Sequence, residues 1–373
     1  MVKKTQRIVI SGYYGFRNSG DEAVLHAILT ALREEGEKQG ADITPVVLSA
    51  NPEETARLHG VESAHRMRPG ALTAAIRGAD ALISGGGSLL QDVTSAKSIP
   101  YYLGVMKLAQ WFGKRTFVYA QGIGPVIRKG LFGPMIRSAF DRCKYVSVRD
   151  RESKELLVSY GLSAHSVNVV PDPVMGLGMA RNERAEAVDI PTVGVSVRFW
   201  REDRNDLDTI AAGLALLLQR SDARVTFLPF HLPSDAAASR YVADKLAELG
   251  ADKERIHMHE GAEHPSDMLK EVSRCDALIG MRLHSLIYAA TAFVPPIGVS
   301  YDPKIDQFLR RLGEAPAGST ESLSAEVLAD LALDRISAIG RNNAWVEEKR
   351  ETIERIQRES REPAQHIVRE LRI

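Results

Sequence analysis

Arg282 and His284 stand one residue apart in CDALIGMRLHSLIYAA, residues 275–290, where a continuous apolar run gives way to a helical pattern. A guanidinium offers a planar fork to a carboxylate or a phosphate, and an imidazole can hold or release a proton near neutral pH. Set where a strand ends and a helix begins, the pair lies at the positive end of a helix dipole, which favours a bound anion. A histidine alone would more often fill a structural role; the two together favour anion binding and proton transfer. A second stretch, VPPIGVSYDPKIDQF, ends its own apolar run with Ser300, Tyr301 and Lys304, adding a hydroxyl, a phenol and an ammonium.

The first half carries motifs of a different kind. GYYGFRNSGDEA, residues 12–23, has Gly12 and Gly15 for a tight turn after a strand, then Asn18, Ser19 and Asp21 as candidate helix caps. Free backbone N–H groups there would suit an anion or sugar hydroxyls, but the stretch is neither GxGxxG nor a P-loop and does not license a nucleotide. SGGGSLLQD, residues 84–92, puts Gly85, Gly86 and Gly87 at a strand end, where missing side chains let a ligand approach the backbone. AQGIGP adds the Gln121 amide at the next strand end, and SVRDRES ends a further strand with Arg149 and Asp150. Arg149 either reaches a ligand or pairs with a neighbouring carboxylate. VVPDPV holds Asp172 between two prolines, as a rigid presentation or a hinge. In RIHMHEGAEH, His257 and His259 share a strand face, yet nothing in the spacing supplies a full metal site, so a solvated strand end is expected.

Elements that could position these residues are visible as periodicity. Short apolar runs recur, each followed by a helical pattern: RIVISGYYG, ITPVVLSA, DALISGGG, RTFVYAQGIG, KYVSVRD and VNVVPDPV, then PTVGVSVRFW, ARVTFLPF, RIHMH, DALIGMR and PPIGVSY. Continuous apolarity marks strands covered on both faces, the habit of parallel sheets under helices. Two such series predict two doubly wound α/β domains facing each other across a cleft: an N-terminal domain over 1–175, a linker over 176–191, and a C-terminal domain over 192–322. Helices over 323–373 are expected to pack back on the first domain.

Bulk properties agree. The chain has 373 residues, enough for two cores, with 44% hydrophobic and 26% charged residues. A formal net charge of zero offers no global basic field for nucleic acid, and two cysteines make no disulfide framework. The N-terminal stretch lacks the pattern of a signal peptide, which predicts a cytoplasmic protein.

Taken in order, GYYGFRNSGDEA, SGGGSLLQD, AQGIGP, SVRDRES, VPDPV, GMRLHS and SYDPKI resemble the polysaccharide pyruvyltransferase family, and within it the CsaB-type enzymes of bacterial cell-wall polymer pyruvylation. The likeness covers about residues 8–310. It implies a GT-B-like fold of two Rossmann-like domains and transfer of pyruvate from phosphoenolpyruvate to a sugar diol as a ketal. The acceptor it implies is O4 and O6 of a terminal β-N-acetylmannosamine in a lipid-diphosphate-linked disaccharide, whose ketal serves S-layer anchoring. Arg149, Arg282, His284 and Lys304 would be the anion-binding and catalytic positions. Gly12, Asn18, Asp21, Gly85, Gly86, Gly87, Gln121, Ser300 and Tyr301 would bind substrates. No metal or organic cofactor is called for.

A lipid-linked acceptor implies contact with the inner membrane face. VIRKGLFGPMIRSAFDRCK, residues 126–144, is basic and amphipathic enough to lie on anionic lipid, or it packs as an ordinary helix. The rival enzyme is a GT-B glycosyltransferase using a nucleotide sugar; the rival non-enzyme is a protein that binds sugars or anions without turnover.

Overall fold

A computed structural model describes residues 5–93, 95, 97–178, 190–337 and 344–372. The chain forms two compact units: residues 1–177 together with 356–373, and residues 178–355. Most of the expected linker, residues 179–189, lies outside the described residues.

The first unit alternates strand and helix: β1 (Gln6–Tyr14), α1 (Ser19–Gln39), β2 (Ile43–Ser49), α2 (Pro52–His59), β3 (Glu62–His65), α3 (Pro69–Arg77) and β4 (Ala81–Gly85). It continues with α4 (Ser98–Trp111), β5 (Arg115–Gln121), α5 (Lys129–Phe140), β6 (Tyr145–Val148), α6 (Arg151–Ser159) and β7 (Val167–Val169). The seven strands lie in the order β3-β2-β1-β4-β5-β6-β7, and every pairing is parallel. Alternation along β1 sends Val9 into one helix-covered face with Val46, Leu82, Val118 and Val146, while Ile8 and Ile10 take the other; all are buried.

The second unit repeats the grammar: β8 (Thr192–Ser196), α7 (Asn205–Arg220), β9 (Arg224–Phe227), α8 (Ser234–Glu248), β10 (Ile256–Met258) and α9 (Pro265–Ser273). Then follow β11 (Ala277–Gly280), α10 (Leu283–Thr291), β12 (Pro296–Ser300), α11 (Pro303–Arg311), β13 (Gly318–Ser319) and α12 (Ala325–Ser337). Its six strands run β10-β9-β8-β11-β12-β13, again parallel in every pair. The last helix, α13 (Ala344–Arg372), belongs to the second unit up to Arg355 and to the first from Ile356 onward. There Arg361 donates to the Gly176 carbonyl at 2.8 Å and pairs with Glu34 at 3.0 Å, and His366 stacks on Tyr145.

Two strands carry no apolar run. β3 reads ESAH and β13 is the pair Gly318–Ser319; both close a sheet edge, where half the backbone and most side chains meet solvent. Among the described residues, no helix is long and apolar enough to cross a membrane.

Candidate active site

In each sheet the strand order reverses once, between β1 and β4 in the first unit and between β8 and β11 in the second. At such a reversal the two flanking crossovers leave in opposite directions and expose the carboxyl ends of the strands, where ligands of open α/β sheets sit. Most of the sequence-derived candidates fall at these two places.

In the first unit, β1 runs into the glycine turn and α1 begins after Asn18, whose side chain accepts from the Gly20 N–H at 3.1 Å. Asn18 is thus a helix cap, and its carboxamide oxygen is committed to the backbone. Glu22 accepts from the Gly15 N–H at 2.8 Å and contacts His59 at 3.2 Å, which fastens the turn to the end of α2. Asp21 faces inward. Burial, reinforced by the negative Glu22 and Asp172, pushes its carboxyl up to about 7 against the pull of the Arg149 guanidinium.

Arg149 follows β6 and is only 10% exposed. Its Nη2 donates to Ser88 Oγ at 2.6 Å, while Asp172 and Asp150 lie 3.6 Å and 3.7 Å from Nη1 and Nε. Those two are ion pairs at beyond hydrogen-bond length, so Arg149 has carboxylate neighbours that do not engage its N–H groups in hydrogen bonds. A Cβ at Gly122 would meet Arg149 Nε and Ser88 Oγ at 3.0 Å, which explains the bare residue in AQGIGP. The site of this unit is therefore an arginine among three acids, one of which titrates near neutrality.

The glycines have a packing explanation within the chain. Gly86 and Gly87 have φ of +68° and +69°, and a Cβ would strike Val24 Cγ1 at 1.9 Å in one and Asp21 Oδ1 at 2.7 Å in the other. At Gly85 a Cβ would crowd Ile28 Cδ1 at 3.0 Å, and at Gly12 a Cβ would run into the Tyr14 ring at 2.3 Å. The close neighbours are this chain's own side chains, so packing and backbone conformation explain these glycines without a ligand. Gln121 is fully buried; its Oε1 accepts from Ser84 at 3.2 Å between adjacent strands, while its Nε2 is buried without a hydrogen-bond partner.

Sequence reasoning passed over Arg66. It lies at 7% exposure beyond β3, donates to the Gly12 carbonyl at 3.0 Å and to Tyr102 Oη at 3.2 Å, and stacks over Tyr101 at 4.5 Å. With Tyr14 Oη donating to the Gly85 carbonyl at 2.7 Å, it fixes both strand ends of the reversal. Its surrounding string HRMRP has no period that would reveal this.

In the second unit, β11 ends at Gly280, Arg282 is the N-cap residue of α10, and His284 is the second residue of that helix. The strand-to-helix junction is where the sequence put it. The use of Arg282 is different: its Nε and Nη2 form a two-point pair with the fully buried Asp235, Nε at 3.0 Å from Oδ2. Asp235 also accepts from the His231 N–H at 2.9 Å. One edge of the Arg282 fork is therefore occupied by the protein itself, and the residue cannot grip a carboxylate through that edge. Ser300, the last residue of β12, donates to Asp306 in the first turn of α11 at 2.6 Å, and Lys304 is the second residue of α11, after the Asp302 cap.

Tyr301 leads to a residue the sequence reading did not single out. Arg198, two residues beyond β8, donates through Nη1 to Tyr301 Oη at 2.8 Å. Its guanidinium lies 4.9 Å from the Tyr301 ring centroid and 5.3 Å from that of Trp200. The signal available was PTVGVSVRFW itself, an apolar strand ending in an arginine as KYVSVRD does. Farther along, His259 and His264 accept backbone N–H groups at 3.0 and 3.2 Å, as turn and cap residues do.

Two doubly wound parallel sheets, each with polar residues gathered at its reversal, define a GT-B-type architecture of two Rossmann-like units. Solved structures agree across nearly the whole chain. A glycosyltransferase from Rickettsia africae matches with TM-score 0.65 and 14% identity, covering 100% of this chain and 99% of its own. A UDP-GlcNAc 2-epimerase from Methanocaldococcus jannaschii matches with TM-score 0.61 and 12% identity over 95% and 99%. An Anabaena protein solved with UDP and glucose matches with TM-score 0.60 and 11% identity over 98% and 99%. Identities this low speak for the fold alone. The chain belongs to the polysaccharide pyruvyl transferase family, whose model matches residues 18–303. No curated protein matches it.

Proposed function

We propose that the protein moves pyruvate from phosphoenolpyruvate onto a sugar diol as a cyclic ketal and releases phosphate. The observation that carries this reading is the family match over residues 18–303, which runs from the start of α1 through β12 and includes Asp21, Arg149, Arg282 and His284. The acceptor we propose is O4 and O6 of a terminal β-N-acetylmannosamine in a lipid-diphosphate-linked cell-wall polymer precursor, with S-layer anchoring as the use of the product.

The chemistry asks for three things. One sugar hydroxyl adds to C2 of phosphoenolpyruvate while C3 gains a proton and becomes a methyl group. Phosphate then departs from C2, and the neighbouring hydroxyl closes the ring. Of the two hydroxyl protons lost, one balances the proton gained by C3 and the other leaves with phosphate. A group that titrates near neutrality must give a proton and another must take one. His284 is the proton donor to C3 in this reading. Asp21, held near pH 7 by its surroundings, is the base that receives a hydroxyl proton. Arg149 stabilises anionic charge in the first unit, and Lys304 at the start of α11 neutralises the departing phosphate. No step requires a metal or organic cofactor.

A lipid-linked acceptor places the work at a membrane surface, which we propose is the inner face of the cell membrane. α5 turns Phe132, Ile136 and Phe140 into the core, and leaves Leu131 and Met135 exposed below Ile127, beside Arg128 and Lys129.

The test is incubation with phosphoenolpyruvate and a synthetic lipid-diphosphate disaccharide ending in β-N-acetylmannosamine, following phosphate and product mass. Acceptor-dependent phosphate with the mass gain of a pyruvyl ketal is the expected result. Release of a nucleotide from a nucleotide sugar, with no phosphate from phosphoenolpyruvate, would instead make the protein a glycosyltransferase. His284→Ala is expected to lower turnover ~10²–10⁴-fold while leaving phosphoenolpyruvate affinity within a few-fold.

A further inference from the structure

The two arginines at the reversal of the second unit are in opposite states. Arg282 is satisfied, with Asp235 neutralising it and filling one edge of its fork. Arg198 is not. Among the described residues no carboxylate pairs with it, its Nε is buried without a hydrogen-bond partner, and its one bond goes to the neutral Tyr301 phenol. A buried N–H without an acceptor is costly to keep, and a guanidinium held against aromatic rings has shed much of its water. On the same strand end, Ser196 Oγ is also buried without a partner. Two unsatisfied polar atoms at the place where an open α/β sheet receives ligands mark a charge whose counter-ion comes from outside.

We infer that Arg198, flanked by Trp200 and Tyr301, is the anion anchor of the second unit and takes the carboxylate or phosphate of a small phosphorylated donor. Arg282 is then a positioning residue: its pair with Asp235 ties the start of α8 to the N-cap of α10, which sets where His284 stands. The identity of the donor rests on the reading above; the anion site does not. A planar fork whose partner is a phenol rather than an acid keeps its full charge for the ligand, and Nη2 forms no bond among the described residues. Tyr301 orients the fork through Nη1. Trp200 is 51% exposed and lies against the same guanidinium, so its fluorescence reports on what the guanidinium binds.

The experiment titrates phosphoenolpyruvate, and separately UDP and inorganic phosphate, into the full chain, with calorimetry for affinity and tryptophan emission as a second readout. Trp200→Phe identifies the emission that belongs to Trp200. Arg198→Lys keeps the charge and removes the fork; Arg198→Gln removes both. Phosphoenolpyruvate affinity is expected to fall at least tenfold in Arg198→Gln and less in Arg198→Lys, with loss of the Trp200 response and no loss of thermal stability. Tyr301→Phe should fall between wild type and Arg198→Lys. If both Arg198 variants bind phosphoenolpyruvate within about twofold of wild type, the anchor is elsewhere, and the pyruvyl-transfer reading stands untouched. If wild type binds UDP but not phosphoenolpyruvate, and loses UDP with Arg198, the anion site stands and the donor is different. Should wild type bind none of the three, Arg198 is not an anion anchor.

Discussion

Asp21 is a carboxyl whose surroundings work against its charge, and this has a measurable sign. Its folded pKa of about 7 lies above that of an unfolded aspartate, ~3.9, so between those values the native state holds the extra proton. Stability from this group is present at low pH and is lost as pH rises through 7. Asp21→Asn removes the charge and keeps the shape. The variant should melt several degrees above wild type at pH 8, and the gap should be much smaller at pH 5. Thermal melts at the two pH values decide it; equal gaps at both would mean that Asp21 is ionised throughout. Acceptor-dependent turnover should fall in the same variant, since an amide takes no proton. Arg149 and Arg282 teach a related lesson. Each stands at a strand end, as the sequence indicated, yet one keeps donors to spare and the other is neutralised by a residue 47 positions away.

The glycine strings belong to the scale of elements. Gly86→Ala combines a left-handed backbone with a collision against Val24 at 1.9 Å, whereas Gly60, also left-handed, has open space around its Cβ. Backbone strain alone costs ~1–2 kcal/mol, so Gly60→Ala should lose about that much by urea denaturation. Gly86→Ala should lose at least twice as much, because α1 must move away from β4. Equal losses would mean that the β4–α1 contact is looser than its geometry. For α5, the exposed row of Leu131 and Met135 on a basic helix predicts flotation with vesicles containing anionic lipid and none with neutral ones. Leu131→Ser with Met135→Ser should abolish flotation without changing turnover on a water-soluble acceptor; unchanged flotation would remove the membrane proposal.

At the scale of the whole chain, α13 ends in the first unit although the chain leaves that unit some 180 residues earlier. A chain stopped after Arg355 loses Arg361, with its bonds to Gly176 and Glu34, and the apolar face of Ile356, Ala364, Ile367 and Val368. Hydrogen exchange should therefore speed up in β5 and β6 of the truncated chain and stay unchanged in β8 and β11. Faster exchange in both units would show that they unfold together. The sequence by itself determined the parallel strands, their grouping into two series and the strand-end places of Arg149, Arg282, His284 and Lys304. Those follow from local periodicity and from apolar runs that must be covered on both faces. It did not show β3 and β13, because ESAH and the two-residue Gly318–Ser319 carry no apolar run to read. Nor could it say that Gly85, Gly86 and Gly87 make room for α1, that Asp235 occupies Arg282, or that no carboxylate among the described residues pairs with Arg198. Those outcomes depend on which side chains distant in sequence come within a few ångströms, and only the tertiary structure decides which charges are cancelled and which are left for a ligand.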